Sequence, residues 1–213
     1  MKSAIHLACA ALAGILASTA ANKNFPEPPP ISEHGTQTAV FAGGCFWGVE
    51  GVFEQLKGVS SAVAGYAGGS AATAHYEIVS TGRTGHAESV RVTYDPAQIS
   101  YGQLLKVFFA VAHDPTEKDH QGPDWGSQYR SAIFYANDDQ KREAEAYIAA
   151  LNEAKVFKHP IVTQVVPLKA FYPAEEHHQH FVERNPTYPY VQYNDLPKIS
   201  QVRRQFPDMV RPK

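Results

Sequence analysis

Thr38-Ala-Val-Phe-Ala-Gly-Gly-Cys-Phe-Trp-Gly-Val-Glu-Gly-Val-Phe-Glu-Gln-Leu56 changes its hydrophobic period once, in the middle, and that change sets the fold class. Residues 38–41 read as a short strand ending at Gly43-Gly44. From Cys45 onward, Val49, Val52, Phe53 and Leu56 recur at helical i, i+3, i+4, i+7 spacing, so a helix has its first turn at Cys45. Residues 59–66 are strand-like before Gly68-Gly69. Residues 88–94 alternate, with Val90, Val92 and Tyr94 on one side and Ser89, Arg91 and Thr93 on the other, until Asp95-Pro96 stops them. Ser100 caps a second helix through Leu104, Leu105, Phe108 and Phe109, residues 131–136 form another strand, and 138–151 an alanine-rich amphipathic helix. Residues 163–168 close the list of strands. The order β-α-β-β-α-β, then α and β, predicts an α/β (α+β) two-layer sandwich with a mixed sheet and a ferredoxin-like core of the split β-α-β kind.

The first residues carry an export pattern. Lys2 supplies a positive n-region, residues 4–17 are small and apolar, and Ser18-Thr19-Ala20 suits a signal peptidase. The run is too short and too alanine-rich for a bilayer span of about 20 residues. Residues 1–21 are therefore read as a signal peptide, 22–35 as a proline-rich tether, and 36–213 as one catalytic domain exported to the periplasm or secreted. His6-Leu7-Ala8 is a poor lipoprotein box, which argues against lipid on Cys9. A formal charge of -2 gives no electrostatic reason to expect nucleic acid or an anionic membrane as partner, and the chain is taken as a monomer.

Once Cys9 leaves with the signal, Cys45 has no cysteine partner, so it is not half of an internal disulfide. At a helix start, the helix dipole and unpaired N–H groups favour thiolate over thiol, so its pKa is expected to be lowered. The competing reading is a small buried hydrophobe. Phe46 shares the phase of the Val49–Phe53 stripe and reads equally as core. Trp47 lies off that stripe with Gly51 and Glu54, which suits a pocket wall beside a nucleophile or packing under a loop. Glu88 falls on the side of Val90, Val92 and Tyr94. There it is either a desolvated carboxyl held protonated for general-acid work, or a wet residue at a frayed strand start.

The ordered set Gly44-Cys-Phe-Trp-Gly48, Gly65-Tyr-Ala-Gly-Gly69, Tyr76, Thr84-Gly-His-Ala-Glu88, Tyr94-Asp-Pro96, His113-Asp-Pro115, Asp124 and Gly126-Ser-Gln-Tyr-Arg-Ser-Ala-Ile133 resembles the methionine sulfoxide reductase A family, over about residues 40–185. The resemblance implies reduction of methionine sulfoxide, free or in proteins, in the S configuration at sulfur, with no metal or bound organic cofactor. It implies Cys45 as the nucleophile and Glu88 as the acid that protonates the sulfoxide oxygen. Tyr76 and Tyr129 would hydrogen-bond that oxygen. Phe46 and Trp47 would cage the methyl group, with Asp124 in the surrounding polar network and His178 lining the site. The product would be a Cys45 sulfenic acid and methionine. Many family members carry further cysteines near the C-terminus. Here residues 185–213 contain none, and Val191 stands where a resolving cysteine often sits. An external thiol reductant, thioredoxin-like, glutaredoxin-like or small, is then required to recycle the enzyme.

Two other classes use the same residues. A cysteine hydrolase or acyl transferase would pair Cys45 with His86, His113 or His178. An exported metal-binding module would use His177 and His180, one turn apart in Glu175-Glu-His-His-Gln-His180. His86-Ala-Glu88 is half of a zinc deaminase signature, but the Pro-Cys-x-x-Cys half is absent.

Overall fold

The computed structural model describes residues 25–212, so the expected signal peptide and cleavage point lie outside the described residues. Residues 25–34 have no regular secondary structure, in keeping with a proline-rich segment, yet they pack along the domain instead of leading away from it. Phe25 is buried against Phe157, and Glu33 accepts hydrogen bonds from the Tyr94 hydroxyl and, at 2.9 Å, from the Tyr101 N–H.

The switch of period within residues 38–56 appears as strand β1 (Gln37–Gly43) followed by helix α1 (Phe46–Glu54), with Cys45 as its N-cap. Then come β2 (Val59–Ala67), a short α2 (Tyr76–Val79), β3 (Ala87–Tyr94) and α3 (Tyr101–Val107). Ser100 closes a capping box with Gln103, and α3 runs on as a π-turn through Phe108–Ala112. The hairpin strands β4 (His120–Gln121) and β5 (Asp124–Trp125) precede β6 (Ser131–Tyr135), α4 (Asp138–Glu153) and β7 (Gln164–Pro167). A final strand β8 (Phe171–Pro173) and helices α5 (Phe181–Arg184) and α6 (Leu196–Gln205) complete the domain.

The six-stranded sheet has the order β7-β6-β1-β3-β2-β8. β3 lies antiparallel between β1 and β2, which therefore run the same way with α1 as their crossover, the split β-α-β arrangement. β6 is antiparallel to β1 and parallel to β7, so the sheet is mixed. Side-chain alternation divides its faces: Phe41, Ala64, Val90, Val92 and Ile133 point into the main core beneath the helices, while Val40, Ala42, Ala132 and Phe134 form a smaller cluster on the other face. Among the described residues no helix is long and apolar enough to cross a membrane.

Two expectations need correction. Residues 163–168 do not hold the last strand. Phe171–Pro173 is too short to alternate and becomes a strand through edge pairing with Gly65, Tyr66 and Ala67. The missing Cβ of Gly65 makes that approach possible, since a methyl there would lie 2.4 Å from the Tyr172 carbonyl oxygen. Nor is α1 a one-stripe helix: Gly48, Glu50 and Gly51 are buried as fully as Val49 and Val52, because α5 and α6 cover its second face. A Cβ on Gly48 would lie 2.3 Å from Asp195 Oδ1, and one on Gly51 3.1 Å from Ile199 Cδ1.

Candidate active site

The sharp turn into α1 presents Cys45 to a pocket. Gly44 has φ +90°, and a Cβ there would lie 2.6 Å from the Gln121 side chain, so the position requires glycine on both counts. Cys45 follows in an extended conformation (φ -53°, ψ 123°). The residue is 8% exposed, on the wall of a cavity of about 210 Å³. Phe46, Trp47, Tyr76, Glu88, Asp124 and Tyr129 line the same cavity. Residues spread over eighty positions of sequence thus converge on one cavity, supplied by the starts of α1, α2, β3 and β5 and by the turn before β6.

Glu88 is 2% exposed, so of its two readings the structure has the buried one. Its Oε2 accepts the Phe46 N–H at 3.1 Å, one of the amides left free at the start of α1. Burial nevertheless dominates and raises its pKa from 4.5 to about 8. The carboxyl is protonated at neutral pH and can donate.

The expected lowering of the Cys45 pKa is overturned. Burial pushes the thiol well above 9.0, with Glu88, Asp195 and Asp124 adding to it. The Trp47 N–H faces the sulfur and favours thiolate, but too loosely to form a cap hydrogen bond. Desolvation outweighs the dipole because three carboxyl groups and a dry wall surround the same sulfur.

Tyr76 and Tyr129 both stay protonated: burial raises Tyr76 to about 12 and Tyr129 further. Tyr76 is held from behind by Glu175, whose Oε1 accepts its N–H at 2.9 Å while Oε2 accepts the Tyr66 hydroxyl at 2.8 Å. The β4–β5 turn brings Asp124 to the pocket, where it accepts the Tyr190 hydroxyl; burial raises its pKa.

Trp47 is a half-buried pocket wall, fixed by stacking on Phe181 at 3.7 Å and 7° and by donating its Nε1–H to His178 Nδ1 at 3.2 Å. His178 does not itself reach the pocket. It is buried behind Phe46, Trp47 and Tyr76, with ring centroids 5.2, 5.9 and 4.3 Å away, and acts as their backing. Tyr188 and Tyr190 line the pocket too, and sequence reading gave them no role. Tyr188-Pro-Tyr190 directly precedes Val191, and its aromatic, turn-forming composition is the signal that marks it.

The histidine alternatives lose their geometry. Both ring nitrogens of His86 are engaged, by the Gly69 N–H and the Ser70 carbonyl, and both of His113, by the Phe108 carbonyl and Ser131 Oγ. His180 turns from His177 to Glu54, at 2.5 Å, and among the described residues the potential metal ligands that gather there are Glu50, Glu54 and His180.

Comparison with known proteins gives the same reading. Residues 37–210 match the family described as peptide methionine sulfoxide reductase. The chain is 58% identical over 179 residues to peptide methionine sulfoxide reductase MsrA 2 of Mesorhizobium japonicum, covering 84% of this chain and 92% of that one. It is 53% identical over 184 residues to MsrA 2 of a Synechocystis species, covering 86% of each. Its structure is similar to that of reduced Mxr1 from Saccharomyces cerevisiae, with a TM-score of 0.67 and 31% identity over 75% of this chain and 91% of that one. These relatives lend no support to a hydrolase or a metal-binding module. The chain belongs to the peptide methionine sulfoxide reductase family.

Proposed function

We propose that this methionine sulfoxide reductase acts on the S epimer, in proteins or free, through a sulfenic acid on Cys45. The observation that carries the reading is the pairing of a buried, protonated Glu88 with the Cys45 sulfur on the walls of one aromatic pocket. Glu88 gives its proton to the sulfoxide oxygen while Sγ attacks the sulfoxide sulfur. The oxygen passes to Sγ, methionine leaves, and the thiol proton restores the carboxyl. The substrate sulfur gains two electrons and Cys45 loses two. Tyr76 and Tyr129 donate to the oxygen as charge develops on it, acting as preorganised donors. Phe46 and the fixed Trp47 form an apolar seat for the methyl group. Exchanging methyl and oxygen puts a polar atom against those rings and a methyl against the donors, which accounts for the choice of epimer.

With dithiothreitol as reductant, the S epimer of N-acetyl-methionine sulfoxide is expected to be reduced and the R epimer not; comparable rates would sink the assignment of the methyl cage. Among the described residues Cys45 is the only free thiol. One equivalent of substrate without reductant should therefore yield one methionine and a protein heavier by a single oxygen atom. We further propose export, supported by the N-terminal charge and apolar pattern. Intact mass of the exported fraction should show a chain beginning near Ala21 or Asn22, and a species retaining Met1 would contradict it.

A further inference from the structure

Cys45 lies at the boundary of two cavities. Besides the aromatic pocket, it borders a second space of about 350 Å³ between the β4–β5 hairpin and α6. Asp124 and Tyr190, hydrogen-bonded to each other, border both spaces. The far walls of the second are polar: Asp114, Glu117, Asn194 and Lys198. Displacement at a sulfenic sulfur is in line, so the incoming thiol must approach opposite the departing oxygen. In the reading proposed above, that oxygen lies on the side of Glu88, Tyr76 and Tyr129, in the aromatic pocket. The other space that Cys45 borders, lined by none of those three residues, is the polar cavity.

We propose that the Cys45 sulfenic acid is reduced through this second cavity by a small neutral or cationic thiol, while the aromatic pocket serves methionine alone. The inference rests on the sulfenic acid reading. An incoming thiol RSH forms an S–S bond to Sγ as the S–O bond breaks, and the oxygen leaves as water with the thiol proton and the hydroxyl hydrogen. A second thiol then attacks the R sulfur of that mixed disulfide and expels Sγ, leaving RSSR and the free Cys45 thiol, so two thiols supply two electrons. Three carboxyl groups, Asp114, Glu117 and Asp124, face one cation, Lys198, so the cavity repels an anionic thiol and attracts an aminothiol.

The test begins with enzyme carrying one oxygen after a single turnover. It is mixed with cysteamine, 2-mercaptoethanol or 2-mercaptoethanesulfonate, and loss of the sulfenic acid is followed by quenching and mass spectrometry. Each rate is divided by that thiol's rate with a small disulfide in free solution, which removes differences in thiolate fraction and nucleophilicity. The normalised rate is expected to fall from cation to anion by on the order of fivefold at low ionic strength, and the difference to shrink with salt. Glu117→Lys should narrow or reverse the order. Asn194→Trp, which fills the cavity, should slow the thiol step about tenfold or more and leave the first methionine release unchanged. Saturating N-acetyl-methionine amide should not slow the thiol step in the unmodified protein. A normal methionine burst followed by a thiol step that is blind to charge and blocked by that amide would overturn the second-cavity route alone. Absence of the burst would overturn the reductase mechanism beneath it.

Discussion

Cys45→Ser is expected to lose turnover by on the order of 10⁵–10⁶, the scale seen when a covalent nucleophile is removed, and to remain folded. A serine hydroxyl is a far weaker nucleophile toward sulfur, and no other cysteine among the described residues can replace it. The fold should not suffer, because Cys45 is the N-cap of α1 and makes no cap hydrogen bond, whereas serine is among the preferred residues at such a position. Its hydroxyl can accept from the free amides of the first turn, so stability should be unchanged or higher by up to about 1 kcal/mol. Urea unfolding and a coupled reductase assay on the same preparation decide the matter. A folded serine variant with substantial reductase activity would remove Cys45 from the mechanism.

Glu88→Gln separates chemistry from stability. The amide has nearly the shape of the carboxyl and can still accept the Phe46 N–H, so substrate should bind, but it cannot deliver a proton to the departing oxygen. The rate at neutral pH should fall about 10²–10⁴-fold, with partial recovery in acid where the solvent supplies protons. In the unmodified protein the active form is the protonated one, so activity should hold at lower pH and decline as pH rises through about 8. The variant should lack that decline. Stability moves the other way. The folded-state pKa lies above the unfolded value of 4.5, so the folded protein binds this proton more tightly, and its stability falls as pH rises from about 4.5 to 8. At 1.36 kcal/mol per pKa unit, the unmodified protein forfeits several kcal/mol above pH 8 that the glutamine variant keeps. Relative urea midpoints at pH 4.5 and pH 8.5 should show the variant gaining with pH. A variant with unchanged rate at pH 8 and no relative gain in stability would show that Glu88 is neither the proton source nor a buried acid.

Much of this enzyme was legible in the order of its residues. The switch from strand to helix around Gly43-Gly44 put Cys45 at a helix start, and alternation along residues 88–94 put Glu88 on the core side of β3, where it lies. Such features depend on neighbours within one or two turns, and local periodicity reports them. Less legible were Tyr188 and Tyr190, whose place in the pocket depends on the last thirty residues crossing back over α1. The signal for that crossing was present in Gly48 and Gly51, two glycines outside the Val49–Phe53 stripe, but a glycine does not say which distant segment will fill the space it leaves.

The protonation of Cys45 shows the same division most directly. By itself the sequence determined the mixed α/β architecture, the position of the sulfur at a helix start, and the absence of any C-terminal cysteine to resolve an oxidised one. Those follow from local spacing and from composition. The tertiary structure alone decided that the thiol is pushed up, that His178 backs the aromatic walls without touching the pocket, and that the sulfur opens onto two cavities. Each of these depends on how many groups from remote segments crowd one atom. Desolvation and the fields of Glu88, Asp195 and Asp124 are summed in space, across 150 residues of chain, while a helix N-terminus is only the nearest contribution.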